Sequence, residues 1–160
     1  MAKLKKYYIF AAILLVLTAS CGYEVLDKSK LLNFRLENFE TKGDNKLNFL
    51  IKNNLQKIFN KNQGDERVYL IIKTVKEKSI KEKNDSNQIT KYQIKVNTSV
   101  MVKYLLSSQS QNFSFAVDGS YDVSNNHSTT ISNQNNLEKN LTKEIADLII
   151  KELVLKNNDN

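Results

Sequence analysis

The chain has 160 residues, of which 41% are hydrophobic, and this suits one domain with a substantial core. It carries 24 Lys and Arg residues against 17 Asp and Glu residues, for a formal net charge of +7. One cysteine excludes an internal disulfide framework, and one histidine excludes a metal site built on paired histidines.

The first 20 residues have the three-part layout of a secretory signal peptide. Three early lysines precede an uncharged, mostly apolar run over residues 7–17, and small residues follow at 18–20. The apolar run has 11 residues, which is too short for a membrane-spanning helix of about 20 residues. Removal of this segment leaves 21 basic and 17 acidic residues, so we expect a mature net charge of +4.

The only cysteine directly follows these small residues. Ala19, Ser20 and Cys21 resemble the bacterial lipobox, whereas Thr18 stands where that pattern prefers leucine. In lipoproteins such a cysteine carries diacylglycerol and an N-acyl chain, and two or more chains hold a protein stably in a membrane. The resemblance implies lipidation of Cys21; the alternative is an ordinary cleaved signal. Gly22, in place of an aspartate retention signal, favours the outer membrane, with the domain facing the periplasm.

The first strand and the first helix follow the leader. Leu32, Phe34 and Leu36 alternate with polar residues in "KLLNFRLENFE", which predicts a half-buried strand. Gly43 then provides a turn and Asp44 a helix N-cap. The helix that follows has one apolar stripe, formed by Leu47, Leu50, Ile51, Leu55, Ile58 and Phe59.

Three long strands joined by polar hairpin loops are predicted next. The first runs from Arg67 to about Lys81. In the second, about 15 residues alternate strictly between Tyr92 and Leu106, which puts one face on a core and leaves the other wet or facing a partner. The third, "NFSFAVDGSYDVS", repeats the alternation.

A last amphipathic helix is predicted to start near Asn136, with Glu138 in its first turn, where a carboxylate suits the helix dipole. The preceding polar connection would hold His127 as a solvated loop residue. The order β-α-β-β-β-α predicts an α+β fold, a two-layer sandwich whose four-stranded mixed sheet carries both helices on one face. The expected organisation is 1–20 signal peptide, 21–30 lipidated N-terminal tether, 31–156 α+β domain and 157–160 disordered tail.

No catalytic constellation is recognisable in the sequence. Asp118 and Asp122 share a strand face but lie about 13 Å apart along it, too far for an acid/base pair. Gly-rich phosphate loops and nucleophile motifs are absent from the sequence. We expect a protein that is not an enzyme and has no cofactor or metal, apart from the covalent diacylglycerol and N-acyl lipid on Cys21.

Several features together resemble one family, the LPS-assembly lipoproteins called LptE. They are the lipobox, the opening "CGY", the turn-helix segment "GDNKLNFLIKNNLQKIF", the three long strands and the terminal helix; the leader lacks the proline that usually follows the opening. The resemblance covers the mature chain and implies two helices on one side of a four-stranded sheet. It also implies a plug that assists assembly of a large LptD-like outer-membrane β-barrel and helps insert lipopolysaccharide (LPS) into the outer leaflet. The implied partners are that barrel, LPS and the membrane through the lipid anchor, with no nucleic acid.

Lysine is a flexible point charge suited to the phosphates and acidic sugars of LPS. A hypothetical LPS-binding cluster lies at the tip of the hairpin between the second and third strands: Lys76, Lys78, Lys81, Lys83, Lys91 and Lys95. The alternative is a solvated hairpin in which Glu77, Glu82 and Asp85 neutralise part of this charge.

Other envelope lipoproteins fit the same sequence. One alternative is an accessory lipoprotein of another envelope machine, such as a secretion pilotin or a barrel-assembly factor, without LPS binding. Another is a structural lipoprotein with no transport role. An envelope hydrolase is disfavoured, because the sequence offers no convergent polar groups for a catalytic cleft.

Overall fold

Six elements of secondary structure build the described part of the chain, in a computed structural model that covers residues 34–59 and 64–156. They are β1 (Phe34–Gly43), α1 (Asn45–Phe59), β2 (Glu66–Lys83), β3 (Ile89–Tyr104), β4 (Ser110–Asp122) and α2 (His127–Lys156). The predicted order and the α+β class are confirmed. Cys21, the signal peptide, the tether and the tail lie outside the described residues.

The four strands form one mixed sheet in the order β1-β2-β3-β4. β1 and β2 are parallel neighbours because α1 carries the chain back between them. Hairpins make the β2–β3 and β3–β4 pairs antiparallel. Both helices cover the same face of the sheet, which we call the inner face; the opposite face is the outer face.

The junction between β1 and α1 depends on two adjacent residues. Gly43 has a φ of +92° and lies opposite Thr74 in the ladder. The next N–H, that of Asp44, donates to the Thr74 carbonyl at 2.9 Å, while the Asp44 side chain accepts from the N–H of Leu47 at 2.9 Å. The predicted turn and N-cap are therefore confirmed, and they fix the point at which the chain leaves the sheet.

The core lies between the inner face and the two helices. The sequence did not show which of the consecutive apolar residues Leu70, Ile71 and Ile72 of β2 face the core. In the structure Leu70 and Ile72 are buried and Ile71 lies on the outer face. Each fully buried side chain of this kind stabilises the fold by about 1.5–3 kcal/mol. The largest fully buried side chains come from both layers: Leu47, Ile51, Leu55, Leu70, Ile72, Ile94, Ile145, Ile149 and Leu153.

The start of α2 differs from the sequence prediction. The helix begins at His127, not near Asn136. Asn126 caps it, because its side-chain oxygen accepts from the N–H of Ser128 at 2.8 Å and its carbonyl accepts from the N–H of Thr130 at 3.1 Å. His127 is consequently the first residue of a 30-residue helix, and its side chain is exposed.

Two smaller differences concern strand ends. β3 ends at Tyr104, before Leu106, and the chain then turns, with Ser108 at a φ of +55°. Leu106 is therefore not on the core face, as the sequence predicted, but is 57% exposed. In β1 the register shifts between Leu36 and Asn38. In the described ranges, neither helix has the length and apolar character needed to cross a bilayer.

The close approach at Gly43 should make Gly43→Ala strongly destabilising. A Cβ there would lie 2.0 Å from the Thr74 carbonyl oxygen, and the positive φ disfavours an L side chain. We expect a loss of about 3 kcal/mol in the free energy of unfolding, measured by urea denaturation. Gly119→Ala is the matched control, because its Cβ would meet only the end of the Leu137 side chain. Its loss should be about 1 kcal/mol, and a larger loss than that of Gly43→Ala would contradict this account.

Candidate functional site

The β2–β3 hairpin extends the sheet beyond the end of β1. β1 pairs with β2 only as far as Gly43 opposite Thr74, whereas β2 continues to Lys83. We call this region the hairpin end; it comprises residues 75–97 and their β4 partners, residues 116–122. All six lysines of the sequence-based hypothesis lie within it.

A tight turn closes the hairpin. The Asn84 side-chain oxygen accepts from the N–H groups of Ser86 and Gln88 at 3.1 and 2.9 Å, and Asn87 adopts a φ of +61°. Asparagine tolerates this left-handed conformation better than most residues do. The turn therefore closes the hairpin beside the last ladder pair, Lys83 and Ile89.

The sheet divides these six lysines between its two faces. Lys76 and Lys78 pair with Val96 and Ile94, whose side chains are buried on the inner face. Cross-strand partners point to the same side, so both lysines extend toward the helix layer. The remaining four lie on the outer face or at the strand end: Lys81, Lys83, Lys91 and Lys95. The lysines therefore share one end of the sheet, as the sequence suggested, but they are divided between its two faces.

On the inner face, Glu138 of α2 holds two lysines from two other elements. The Glu138 side chain is 0% exposed and forms ion pairs with Lys46 of α1 and with Lys76 of β2, the latter at 3.2 Å. Lys76 also pairs with Asp44 at 3.2 Å. We call these four residues the Glu138 cluster. It ties α1, β2 and α2 together at one point.

Both signs of charge in this cluster are stabilised. Burial would raise the pKa of Glu138, but hydrogen bonds from Lys46, Gln134 and Lys76 outweigh it and hold that pKa below its usual 4.5. Burial would lower the pKa of Lys76, but Asp44 and Glu138 raise it above its usual 10.5. Glu138 and Lys76 are therefore charged at neutral pH, and an external anion at Lys76 would compete with two carboxylates already in place.

Lys78 lies against a pair of tyrosines. Its ammonium is 4.1 Å from the centroid of the Tyr92 ring and 5.4 Å from that of Tyr121, and the two rings stack at 5.7 Å. Lys78 Nζ and the Tyr121 hydroxyl both donate to the Gln134 side-chain oxygen, at 3.3 and 2.8 Å. An open groove of about 440 Å³ adjoins them, and His127 also lines it. Cation–π contacts of this kind contribute about 0.5–1 kcal/mol at exposed sites.

On the outer face, acidic side chains surround the lysines. Lys91 Nζ lies 3.1 Å from Glu82 and 3.7 Å from Asp122, and the hydrogen bond to Glu82 is the main cause that raises the Lys91 pKa. Lys95 stands in the ladder between Glu77 and Asp118. The hairpin end contains six lysines and five acidic residues, so its formal charge is only +1.

The two lysines at the strand end bond to uncharged side chains. Lys83 Nζ donates to the side chain of Asn87 at 2.9 Å, and Lys81 Nζ donates to Ser120 at 3.3 Å. Both lysines are exposed, and neither of these partners is charged. Lys81 and Lys83 can therefore turn toward an anionic ligand without breaking an ion pair.

Sequence reasoning missed Gln134 and misplaced Glu138. Gln134 was assigned to a loop and Glu138 to a first helical turn, and both assignments were wrong because α2 starts earlier. The spacing of Gln134 and Glu138 continues the buried stripe of Leu141 and Ile145 toward the N-terminus. That spacing, together with Asn126 as a cap, was the available signal.

The described polar side chains of the hairpin end bond mainly to one another. Gln93 Nε2 donates to Asp118 at 2.8 Å, and Asn97 Nδ2 donates to Glu77 at 3.3 Å. Within the described ranges, no group of three or more His, Cys, Asp or Glu side chains is arranged to hold a metal ion. The polar groups of the hairpin end are therefore largely satisfied within the fold.

Two solved structures share this fold. A protein from Caulobacter crescentus CB15, described as a candidate lipoprotein, superposes with a TM-score of 0.58 at 12% identity, over 83% of this chain and 96% of its own. Rare lipoprotein B from Shewanella oneidensis superposes with a TM-score of 0.56 at 14% identity, over 77% and 98%. No protein-family model matches the sequence, and no curated protein matches it. At these identities the likeness shows the fold, and it spans nearly the whole of both relatives.

Glu138→Gln should destabilise the protein by about 2 kcal/mol at neutral pH, because Lys46 and Lys76 lose their shared buried carboxylate. The Glu138 pKa is lowered in the folded state, so this contribution is complete above 4.5 and is lost as the pH falls through the folded value. Denaturation at several pH values should therefore show the difference from wild type shrinking below pH 4.5.

The exposed residue Glu144, on the same helix, provides the control. Glu144→Gln should change stability by less than about 0.5 kcal/mol at any of these pH values. Equal losses in the two variants would show that Glu138 is not the ion-pair centre described above.

Proposed function

We propose that the chain is an outer-membrane lipoprotein, anchored through a lipid on Cys21. In this proposal it plugs and assists assembly of a large LPS-export β-barrel and helps insert LPS into the outer leaflet. The observation that carries the proposal is the one-sided helix layer, which leaves the outer face of a four-stranded sheet uncovered in the described part of the chain. The lipobox-like leader and the fold shared with two proteins described as lipoproteins support it.

The composition of the outer face suits a watery lumen. Its centre has half-buried apolar side chains, such as Ile71 and Met101, which pair with each other across β2 and β3. Exposed polar residues surround them, including Lys73, Ser99 and Ser114, which lie in one row of the ladder. The inner walls of outer-membrane barrels are polar, so such a face can pack there without burying a large apolar area.

The predicted anchor is close enough to keep the domain at the membrane. Thirteen residue steps separate Cys21 from Phe34, where β1 begins. A fully extended chain spans at most about 3.3–3.6 Å per residue, so the start of the sheet stays within roughly 45 Å of the lipid. A barrel in the same membrane is within that distance.

The accessible lysines supply the proposed contact with LPS. Lys81, Lys83 and Lys95 are exposed, and Lys91 is held between two exposed acids that a phosphate could displace. We propose that these four bind LPS phosphates and acidic sugars, while Lys76 and Lys78 keep the helix layer in place. The role proposed is binding, without catalysis or a cofactor.

One observation favours a second candidate function. The formal charge of the hairpin end is only +1, because acids flank the outer lysines. An accessory lipoprotein of another envelope machine would need no net charge there and would use the same outer face without binding LPS. The partner that co-purifies distinguishes the two functions.

Affinity purification of the tagged, lipidated chain from membranes tests the barrel partner. We expect a large outer-membrane β-barrel protein in stoichiometric amount. Ser99→Arg, which adds bulk to the exposed outer face, should reduce its recovery at least about tenfold, whereas Ser132→Arg on exposed α2 should not.

Recovery of a secretion or barrel-assembly component instead would support the second candidate. If no barrel co-purifies, or if both arginine variants behave alike, the proposed plug role fails. Cys21→Ser extends the test, because a variant that still fractionates with the outer membrane would show that the barrel, more than the lipid, retains the protein.

LPS binding is tested by replacing Lys81, Lys83, Lys91 and Lys95 together with serine. A lysine near an anionic lipid surface contributes about 1 kcal/mol, so we expect roughly a tenfold or greater loss of affinity for LPS at moderate salt. The control replaces an equal number of exposed lysines elsewhere: Lys57, Lys103, Lys139 and Lys143. Both variants lose the same net charge, so equal losses would indicate nonspecific attraction and would reject the site.

A further inference from the structure

The two edges of the sheet differ in how they are protected. β2 has a free edge after Thr74, where β1 leaves it, and that edge carries four lysines and two shifts of register near Ile80. Lysines and bulges at an exposed edge are the devices that keep another strand from pairing with it. The free part of β2 is therefore protected against strand addition.

The edge formed by β4 has none of these devices. It has 13 residues without Lys, Arg or Pro, although the chain has 24 basic residues. Its pairing with β3 runs without a shift from Asp122 to Ser110, and in the described residues no strand lies on its other side. A long, regular edge of this kind exposes outward N–H and C=O groups that can pair with another strand.

The two acids of β4 do not protect its edge either. The Asp118 carboxylate accepts a hydrogen bond from Gln93, and Asp122 lies 3.7 Å from the Lys91 ammonium. Both contacts draw the charges onto β3, away from the open side. The backbone of β4 therefore remains available for antiparallel pairing.

We propose that β4 pairs antiparallel with β4 of a second copy of this chain, about a two-fold axis at Ala116. In this register Asp118 meets Ser114 and Asp122 meets Ser110, so no acid faces an acid. Phe113 lies opposite Gly119, whose inner side is already covered by Leu137 of the same copy, so the two apolar groups meet without a charged neighbour on that face. In this register the strand is thus complementary to itself in charge.

The helix above β4 has a flank that suits the same axis. Leu137 and Leu141 of α2 contact Gly119 of β4, and the neighbouring flank of α2 borders an open groove of about 420 Å³. Among the described residues that line this groove, two lysines and two acids cancel in formal charge. The lining residues are Asn140, Lys143, Glu144, Asp147, Leu148 and Lys151. A two-fold axis through β4 would bring two such flanks together on the inner side of an eight-stranded sheet, without net repulsion. Because the flank has no net charge, a second copy of this chain can pair with β4 more favourably than a strongly charged strand of another protein can.

The first experiment measures mass by light scattering on the purified mature chain with Cys21→Ser, over a series of concentrations. We expect a shift from monomer to dimer. Ala116→Lys places two lysines opposite each other at the axis and should leave only monomer, while circular dichroism stays unchanged because Ala116 is exposed. Val75→Lys on the protected β2 edge is the matched control and should still dimerise.

The second experiment tests the register. Ala116 is the only β4 residue that would face its own copy, so Ala116→Cys in the Cys21→Ser background should give a disulfide-linked dimer on mild oxidation. Asn112→Cys should not, because the two Asn112 residues would lie eight positions apart, about 26 Å along the strand.

Three results would overturn the proposal. They are a monomer at every concentration, a dimer that survives Ala116→Lys, and cross-linking at Asn112 as efficient as at Ala116. Because the assay contains neither barrel nor LPS, its failure would leave the plug proposal untouched.

Discussion

A buried carboxylate fixes where three elements of this protein meet. Glu138 has no exposed surface, and an unpaired charge in that position would cost far more than the fold could tolerate. Lys46 and Lys76 satisfy it from two different elements. The start of α1, the middle of β2 and the first half of α2 must therefore meet at this point, and beyond it α2 alone continues over the sheet.

The division of the lysines follows from this constraint. Lys76 and Lys78 lie on the side of the sheet where α2 passes, and their charges are used by Glu138 and by the stacked tyrosines. Lys81 and Lys83 lie past the last helix contact and remain exposed. The lysines of the hairpin end thus divide into an inner group that stabilises the fold and an outer group that is accessible to a ligand.

Sequence periodicity predicted the parts of the fold that depend on local pattern. The alternation from Tyr92 to Tyr104 and the junction at Gly43 and Asp44 needed no knowledge of the tertiary structure. The first turns of α2 could not be predicted in this way, because Ser, Thr and Asn favour caps and turns over helix interiors.

The first turns of α2 are stabilised by contacts with residues outside the helix. One example is the hydrogen bond that the Tyr121 hydroxyl of β4 donates to the Gln134 side chain. Strand order and the Glu138 cluster likewise depend on residues far apart in the chain, so neither can be predicted from a local sequence pattern. The candidate site was therefore predicted in its position along the sheet, but not in the division of its lysines between two faces.

The same lysines have a structural use that needs no ligand. β1 must leave the sheet at Gly43 for α1 to be capped by Asp44, and this departure opens the β2 edge from residue 75 onward. An edge opened by the fold itself requires protection, and charged side chains at Lys81 and Lys83 supply it. β4, the other free edge of the sheet, carries no lysine, so only the edge that β1 opens is protected in this way. Binding of LPS at the hairpin end would therefore be a second use of residues that the topology already demands.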